Sequence, residues 1–256
     1  MVNGLELFVS HFRGLEDCFI LIGGTACDLW MNAQGMDFRA TKDLDMVLVA
    51  ESLRPEFIAR FWTFIRDGRY ESHQQSEGRR CFYRFKKPGT AGHPFMIELF
   101  TRNYLDVPSD LHLTPVPAGE DISSLSAILL AEPYYHFVVA SRIMSAGVPT
   151  IPVQCLIPLK ARAYLDVVRR KATGGQVDSD EVKKHRNDVF RLYLTLAPAD
   201  RYLLPEQLRE DLEQFLGQFP PESEDWSKIQ AAVRDLPEPQ RVIDQLRDNF
   251  ALTAEH

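Results

Sequence analysis

Long apolar runs are missing from this chain. Nothing in its 256 residues approaches the roughly 20 consecutive apolar residues that a membrane-crossing helix needs, so no membrane partner is expected. Cysteine is scarce: Cys18, Cys27, Cys81 and Cys155 show no paired spacing, which excludes a disulfide framework and fits no zinc pattern. Four reduced, mostly buried thiols in a cytoplasmic protein are the expectation. The first residues, MVNGLELFVSHFRG, have neither a basic start nor a sustained apolar segment, so no signal peptide is expected. Internal repeats and low-complexity tracts are absent too. An excess of positive charge is also lacking: 29 Lys and Arg stand against 36 Asp and Glu, a net charge of −7. That balance argues against indiscriminate nucleic-acid binding while leaving room for a local basic groove.

The deficit is local. Residues 205–256 carry 12 acidic and 5 basic side chains, which is the whole of the −7, and the first 204 residues balance at 24 of each sign. Two basic clusters stand out. Residues 160–186 hold 8 basic and 4 acidic groups, and Arg79, Arg80, Arg84, Lys86 and Lys87 form the second. Each reads as a solvated face or as one wall of a groove for an anion. At 45% hydrophobic and 25% charged, the composition is that of a globular chain long enough to bury a substantial core.

The densest information lies in FILIGGTACDLWMNAQGMDFRATKDLDMVLV, residues 19–49. An apolar strand over 18–22 runs into Gly23-Gly24, a helix follows over 25–33, and Asp43-Leu44-Asp45 opens a second apolar strand over 44–49. Side chains two apart on a strand share a face, so Asp43 and Asp45 point one way and Leu44 the other. Two adjacent carboxylates repel unless a cation lies between them. Oxygen donors suit a hard divalent ion, most naturally magnesium. Gly23 and Gly24 let a ligand approach the backbone, and the helix start beyond them offers unpaired N–H groups that suit phosphate. Thr25 caps that helix or bonds a phosphate. Arg39, Thr41 and Lys42 precede the carboxylates, where they balance charge, meet a triphosphate or shape the turn.

Around this unit the pattern predicts a helix over 5–15, another over 55–66 with Pro55 in its first turn, and strands over 80–85 and 95–100. Short apolar runs over 125–144 read as one or two further strands. That order implies a mixed sheet with helices packed on it. The character changes at about Val153. A helix from near Pro158, a second opened by a capping box of Asp178 and Glu181, and three short helices beyond Pro205 predict a core over 1–152 and a helical domain over 153–256.

Four further residues draw notice. Glu98 lies in the otherwise apolar FMIELF, where an unpaired carboxylate is costly; a metal, a positive partner or an edge position would relieve it. Lys160 shares a helix face with Ala163, Tyr164 and Val167, so it either snorkels outward or meets an anion. On the next helix His185 sits in the inward stripe and reads as a core histidine. Asp188 on its flank orients Lys160 or a substrate hydroxyl, or pairs with an arginine such as Arg191.

Taken in order, GGTA, then R-A-T-K-D-L-D, then Glu98 resembles the polymerase-β-like nucleotidyltransferase superfamily. The later IPLKARAYLDVVRRK and VKKHRNDVFRL resemble the helical half of the AbiEii-type toxins, nucleotidyltransferases of abortive-infection and toxin–antitoxin systems; the likeness spans residues 19–196. The resemblance implies an α/β (α+β) nucleotidyltransferase fold with a helical C-terminal domain that brings Lys160 and Asp188 to the cleft. It implies that Asp43, Asp45 and Glu98 hold one or two Mg²⁺ ions, that Gly23, Gly24 and Thr25 hold the NTP phosphates, and that Lys160 and Asp188 assist catalysis. The expected reaction moves an NMP to an acceptor hydroxyl and releases pyrophosphate. The acceptor would be tRNA or another cellular target, and an antitoxin would be the partner. Two other readings stand beside it: nucleotidylation of a small molecule such as an antibiotic, and a non-catalytic nucleotide-binding module.

Overall fold

The structure, a computed structural model, describes residues 2–77, 80–101, 114–115, 132–174 and 179–252, without the side chains of 74–77, 80–82 and 114–115. It divides into two compact units. The first comprises Met1–Glu120 with Val138–Pro152, the second Asp121–Phe137 with Val153–His256.

The first unit is built on a mixed sheet of strand order β1-β2-β5-β4-β3-β6. Its strands are β1 (Phe19–Ile22), β2 (Asp43–Leu48), β3 (Glu71–Glu77), β4 (Arg80–Lys86), β5 (Met96–Thr101) and β6 (Thr114–Pro115). β1 runs antiparallel to β2, and β2 runs parallel to β5. Parallel neighbours need a long crossover. Here it consists of helix α3 (Pro55–Gly68) and the β3–β4 hairpin. α1 (Leu5–His11) precedes the sheet and α2 (Gly23–Ala33) links β1 to β2.

One face of the sheet is set by alternation. Leu44, Met46 and Leu48 of β2, Ile97 and Leu99 of β5, and Tyr83 and Phe85 of β4 join one buried cluster with Phe57, Phe61, Trp62 and Phe64 of α3. Burying each α3 aromatic contributes about 2 kcal/mol. The rings meet edge-on, as in Phe61 against Phe85 and Trp62 against Tyr83. α3 is the helix the apolar spacing predicts. Pro55 stands in its first turn, and Arg69 at its end takes φ 53°, which stops it. β3 was not foreseen, because ESHQQSE has no apolar alternation; its pairing with β4 is a matter of backbone register.

Two expectations need correction. YYHFVVA does not form a strand: Glu132–Ala140 is a helix, α4, and among the described residues of this stretch the extended segment is Ile143–Ser145 (β7), paired with Val148–Thr150 (β8). The buried Tyr134, Tyr135 and Val138 fall at i, i+1 and i+4, a helical spacing that a short apolar run disguises. The remainder of that apolar stretch, SAILL, lies outside the described residues, as does Asp178 of the expected capping box. The helix placed near Pro158 begins five residues earlier: α5 spans Val153–Ala172 with Pro158 inside it. Proline there removes one hydrogen bond and does not end the helix.

The second unit is helical. Beyond α5 come α6 (Ser179–Tyr193), α7 (Glu206–Leu216), α8 (Asp225–Ala232) and α9 (Pro239–Asn249). Its aromatic core joins Tyr164, Phe190, Phe215, Phe219 and Trp226. The acidic segment, described over 205–252, thus folds around Leu208, Leu212, Ile229, Val242 and Leu246, with most of its described carboxylates at the surface. Asp211 is an exception. It is buried, accepts the Tyr134 hydroxyl, and meets Arg162 at 2.8 Å. Burial and this bond to Asp211 push the Tyr134 phenol far above its usual range, so the hydroxyl stays a donor. Among the described residues no helix is long and apolar enough to cross a membrane.

Candidate active site

The glycine turn and the carboxylates meet at one end of the first unit's sheet. β1 delivers the turn, because Ile22 pairs with Asp45 in the antiparallel register and Gly23 follows at once. Gly23 takes φ +66°, a conformation that L side chains rarely adopt. A Cβ placed on it would fall 1.8 Å from Asp45 Oδ2, so the carboxylate packs directly on the bare Cα. A Cβ on Gly24 would lie 2.6 Å from Thr41 Oγ1 and 3.7 Å from an Arg39 nitrogen. Both glycines belong to the first turn of α2, two residues earlier than the sequence pattern suggested. The sequence therefore brings Arg39, Thr41 and Asp45 over a helix N-terminus whose N–H groups have no intrahelical partner.

Thr25 is fully buried, and its hydroxyl donates to the Asp43 carbonyl at 2.7 Å, tying α2 to the start of β2. Asp43 and Asp45 are both half-buried, on the face opposite Leu44 and Met46. Lys42 is exposed, its ammonium 6.0 Å from the Phe95 ring centroid, and Arg39 stacks on Phe38 at 5.0 Å.

Glu98 faces Asp45 across the β2–β5 ladder and shares the aspartates' side of the sheet. β5 lies between β2 and β4, so the edge position is ruled out and a positive partner is found. Arg84 places both Nε and Nη2 2.8 Å from Glu98 Oε1, with the two residues 8% and 1% exposed. Sequence reasoning saw Arg84 only as part of a basic cluster. Its place between Tyr83 and Phe85, both buried, was the signal that it points to the other face. Among the described residues no three Asp, Glu, His or Cys groups converge closely enough for a metal ion. Two half-buried carboxylates on one face, one of them seated on Gly23, still match the donor chemistry of a hard dication.

In the second unit Lys160 and Asp188 find each other. Lys160 Nζ is 3.0 Å from Asp188 Oδ2, and the pair is 1% and 0% exposed. Arg191 Nη1 adds a bond of 3.2 Å to Asp188 Oδ1. Of the options open to them, Lys160 meets an anion and Asp188 serves both a lysine and an arginine. His185 is buried, but not as a fully satisfied core histidine: its Nε2 lies 3.8 Å from Glu181, and among the described residues its Nδ1 has no hydrogen-bond partner.

A profile of the family described as "Nucleotidyl transferase AbiEii toxin, Type IV TA system" matches residues 7–174. The chain belongs to this family. The AbiEii match takes in the glycine turn, both aspartates, Glu98 and Lys160, and ends before α6 with Asp188. The chain is thus a nucleotidyltransferase of α/β fold. No curated protein matches it in sequence. Solved structures similar to it include an antigenic nucleotidyltransferase-like protein from Paracoccidioides brasiliensis, 13% identical over 90% of this chain and 91% of the other, with a TM-score of 0.45. Another is MenT4, a nucleotidyltransferase toxin from Mycobacterium tuberculosis, 17% identical over 98% and 83%, with a TM-score of 0.30. The Cid1 poly(U) polymerase bound to MgATP is 11% identical over 86% and 68%, with a TM-score of 0.32. Likenesses this distant say nothing about this chain's substrate.

Two expected results arise directly from the geometry. Gly23→Ala meets both a backbone cost of about 1–2 kcal/mol and a collision with Asp45. Gly14→Ala, at φ +84° with nothing within 4 Å among the described residues, carries the backbone cost alone. Thermal unfolding should therefore show Gly23→Ala as the more destabilised of the two, and only Gly23→Ala should lose nucleotidyl transfer. The second concerns pH. Burial, helped by the charge of nearby Lys160, lowers the His185 pKa from 6.5 to about 4 against the pull of the Glu181 carboxylate. A depressed pKa gives stability that is fully present above 6.5 and lost as pH falls through 4, up to about 3 kcal/mol. His185→Leu should flatten that part of the urea-midpoint curve between pH 7 and 4.

Proposed function

We propose that this AbiEii-family protein is a magnesium-dependent nucleotidyltransferase that transfers an NMP from an NTP to a hydroxyl of an RNA, with tRNA as the favoured acceptor, and releases pyrophosphate. It would act as the toxin of a toxin–antitoxin pair. The observation that carries the reading is the seating of the Asp45 carboxylate on Gly23, with Asp43 on the same face of β2. The contact supports this reading, because a helix start suited to an anion then lies beside carboxylates suited to a cation, as a metal-bound triphosphate would require.

Asp43 and Asp45 would hold the ion, with Glu98 the third carboxylate on that face and Arg84 balancing its charge. Magnesium, when bound, would neutralise phosphate charge and favour loss of the acceptor proton. The rest falls to the chain. The N–H groups at Gly23 and Gly24 would hold outer phosphates, with Arg39, Thr41 and Lys42 adding charge and a hydroxyl beside them. Thr25 fixes the backbone of Asp43, so the carboxylate's position depends on this hydrogen bond. Lys160 is proposed to neutralise phosphate charge, with Asp188 holding its ammonium in place. Positioning and electrostatics would supply most of the rate.

The test is to incubate the purified protein with each α-labelled NTP, magnesium and total cellular RNA. Label on RNA together with released pyrophosphate supports the proposal. Label on a small solute from a lysate would move the acceptor to a small molecule, and NTP binding without any transfer would leave a non-catalytic module.

A further inference from the structure

Glu98 has a possible partner on either side. Directly paired residues share a face of the sheet, and the register sets Asp45 of β2, Glu98 of β5 and Arg84 of β4 side by side in that order. Neighbouring strands lie about 4.8 Å apart, so a glutamate on the middle strand can reach either way. Solvent is no alternative, because Glu98 is 1% exposed. The next row on this face, Val47 beside Phe100, is buried and apolar and offers no charge. A carboxylate buried there must take a partner from β2's side or from β4's.

It takes Arg84. Both Nε and Nη2 meet Oε1 at 2.8 Å, and among the described residues no three acidic, histidine or cysteine groups converge as a metal site would need. Electrostatics explains the choice. Turning toward Asp45 sets two carboxylates together, whereas turning toward Arg84 pairs opposite charges. A dication beside Asp45 carries twice the charge of the guanidinium and would pull the other way. As it stands the site offers a dication Asp43 and Asp45. Magnesium held by one or two carboxylates relies on substrate phosphates and water for the rest of its shell.

Resting on the nucleotidyltransferase reading, we propose that Arg84 is a positioning residue that withholds Glu98 from the dication, so that metal uptake depends on the NTP. The ion pair keeps the third carboxylate in reserve. Removing the guanidinium leaves Glu98 as a buried charge whose nearest relief is an ion on Asp45, and Glu98 then turns to it.

The experiment measures Mn²⁺ binding without nucleotide, by loss of the free-ion signal, and the unfolding midpoint with and without Mn²⁺. Wild type should bind Mn²⁺ weakly. Arg84→Gln should bind it about tenfold more tightly, since affinity follows the number of charged ligands. Its unfolding midpoint should also rise more than wild type's when Mn²⁺ is added. Arg84→Lys keeps the charge and should match wild type. Arg84→Gln with Glu98→Asp has the same charge as Arg84→Gln and a reach shorter by one methylene, so most of the gain should disappear. Loss of a merely structural arginine produces no such gain. Mn²⁺ affinity in Arg84→Gln no tighter than in wild type would overturn the proposal. So would a gain that survives Glu98→Asp, which would be charge acting at a distance. If Arg84→Gln is unfolded without metal, Mn²⁺ should refold it, and a chain still unfolded in Mn²⁺ would count equally against the proposal. Wild type that binds no MgATP by calorimetry would instead bring down the nucleotidyltransferase reading.

Discussion

Asp45→Asn is expected to reduce nucleotidyl transfer about a thousandfold while the protein stays folded, since the charge stabilisation lost is about 4 kcal/mol at 1.36 kcal/mol per tenfold. The substitution keeps the shape that packs on Gly23 and removes only the charge. Asp45 is half-buried on the face away from Leu44 and Met46, so the core does not feel the change. Circular dichroism and the unfolding midpoint should match wild type. Asp43→Asn should behave in the same way, because its backbone carbonyl, bonded to Thr25, is untouched. Full transfer by either variant would remove the metal role.

The largest effect on stability is expected from Asp188→Ala. Lys160 is 1% exposed and Arg191 also bonds this carboxylate, so the truncation strands a buried ammonium. Breaking a buried pair from one side costs about 3–5 kcal/mol, whereas replacing both members by apolar groups is far milder. Lys160→Met with Asp188→Leu should therefore unfold at a higher denaturant concentration than Asp188→Ala alone. The same double variant separates two roles. If the pair serves catalysis as proposed, it folds and fails to transfer nucleotide; retained transfer would confine the pair to holding α5 and α6 together.

Local patterns carried much of this structure. Alternation in DLDMVL gave the faces of β2, and the Phe57, Phe61, Trp62 and Ile65 spacing gave α3. Where local pattern was silent or double-edged, the reading failed. β3 is polar throughout, so only its pairing with β4 makes it a strand. In YYHFVVA the apolar residues suit either period, and the helix won. Pro158 looked like a start signal, yet Val153, Cys155, Leu156 and Ile157 already bury a helical face ahead of it. At the site, residue types and order were legible, but partnership was not. Arg84 meets Glu98 because β4 and β5 pair in one register, and no neighbouring residue announces that register. For Asp188, Lys160 was one of several partners left open by the helix faces; their contact at 3.0 Å depends on how α5 packs on α6.

The account stands on Asp43 and Asp45 gripping a dication next to the glycine turn. Mn²⁺, a paramagnetic substitute for Mg²⁺, reports this directly through the loss of its free-ion signal on titration with protein and ATP. The wild type should take up Mn²⁺ in an ATP-dependent way, and Asp43→Asn with Asp45→Asn should lose that uptake while remaining folded. Equal Mn²⁺ uptake by the double variant and the wild type would contradict the account.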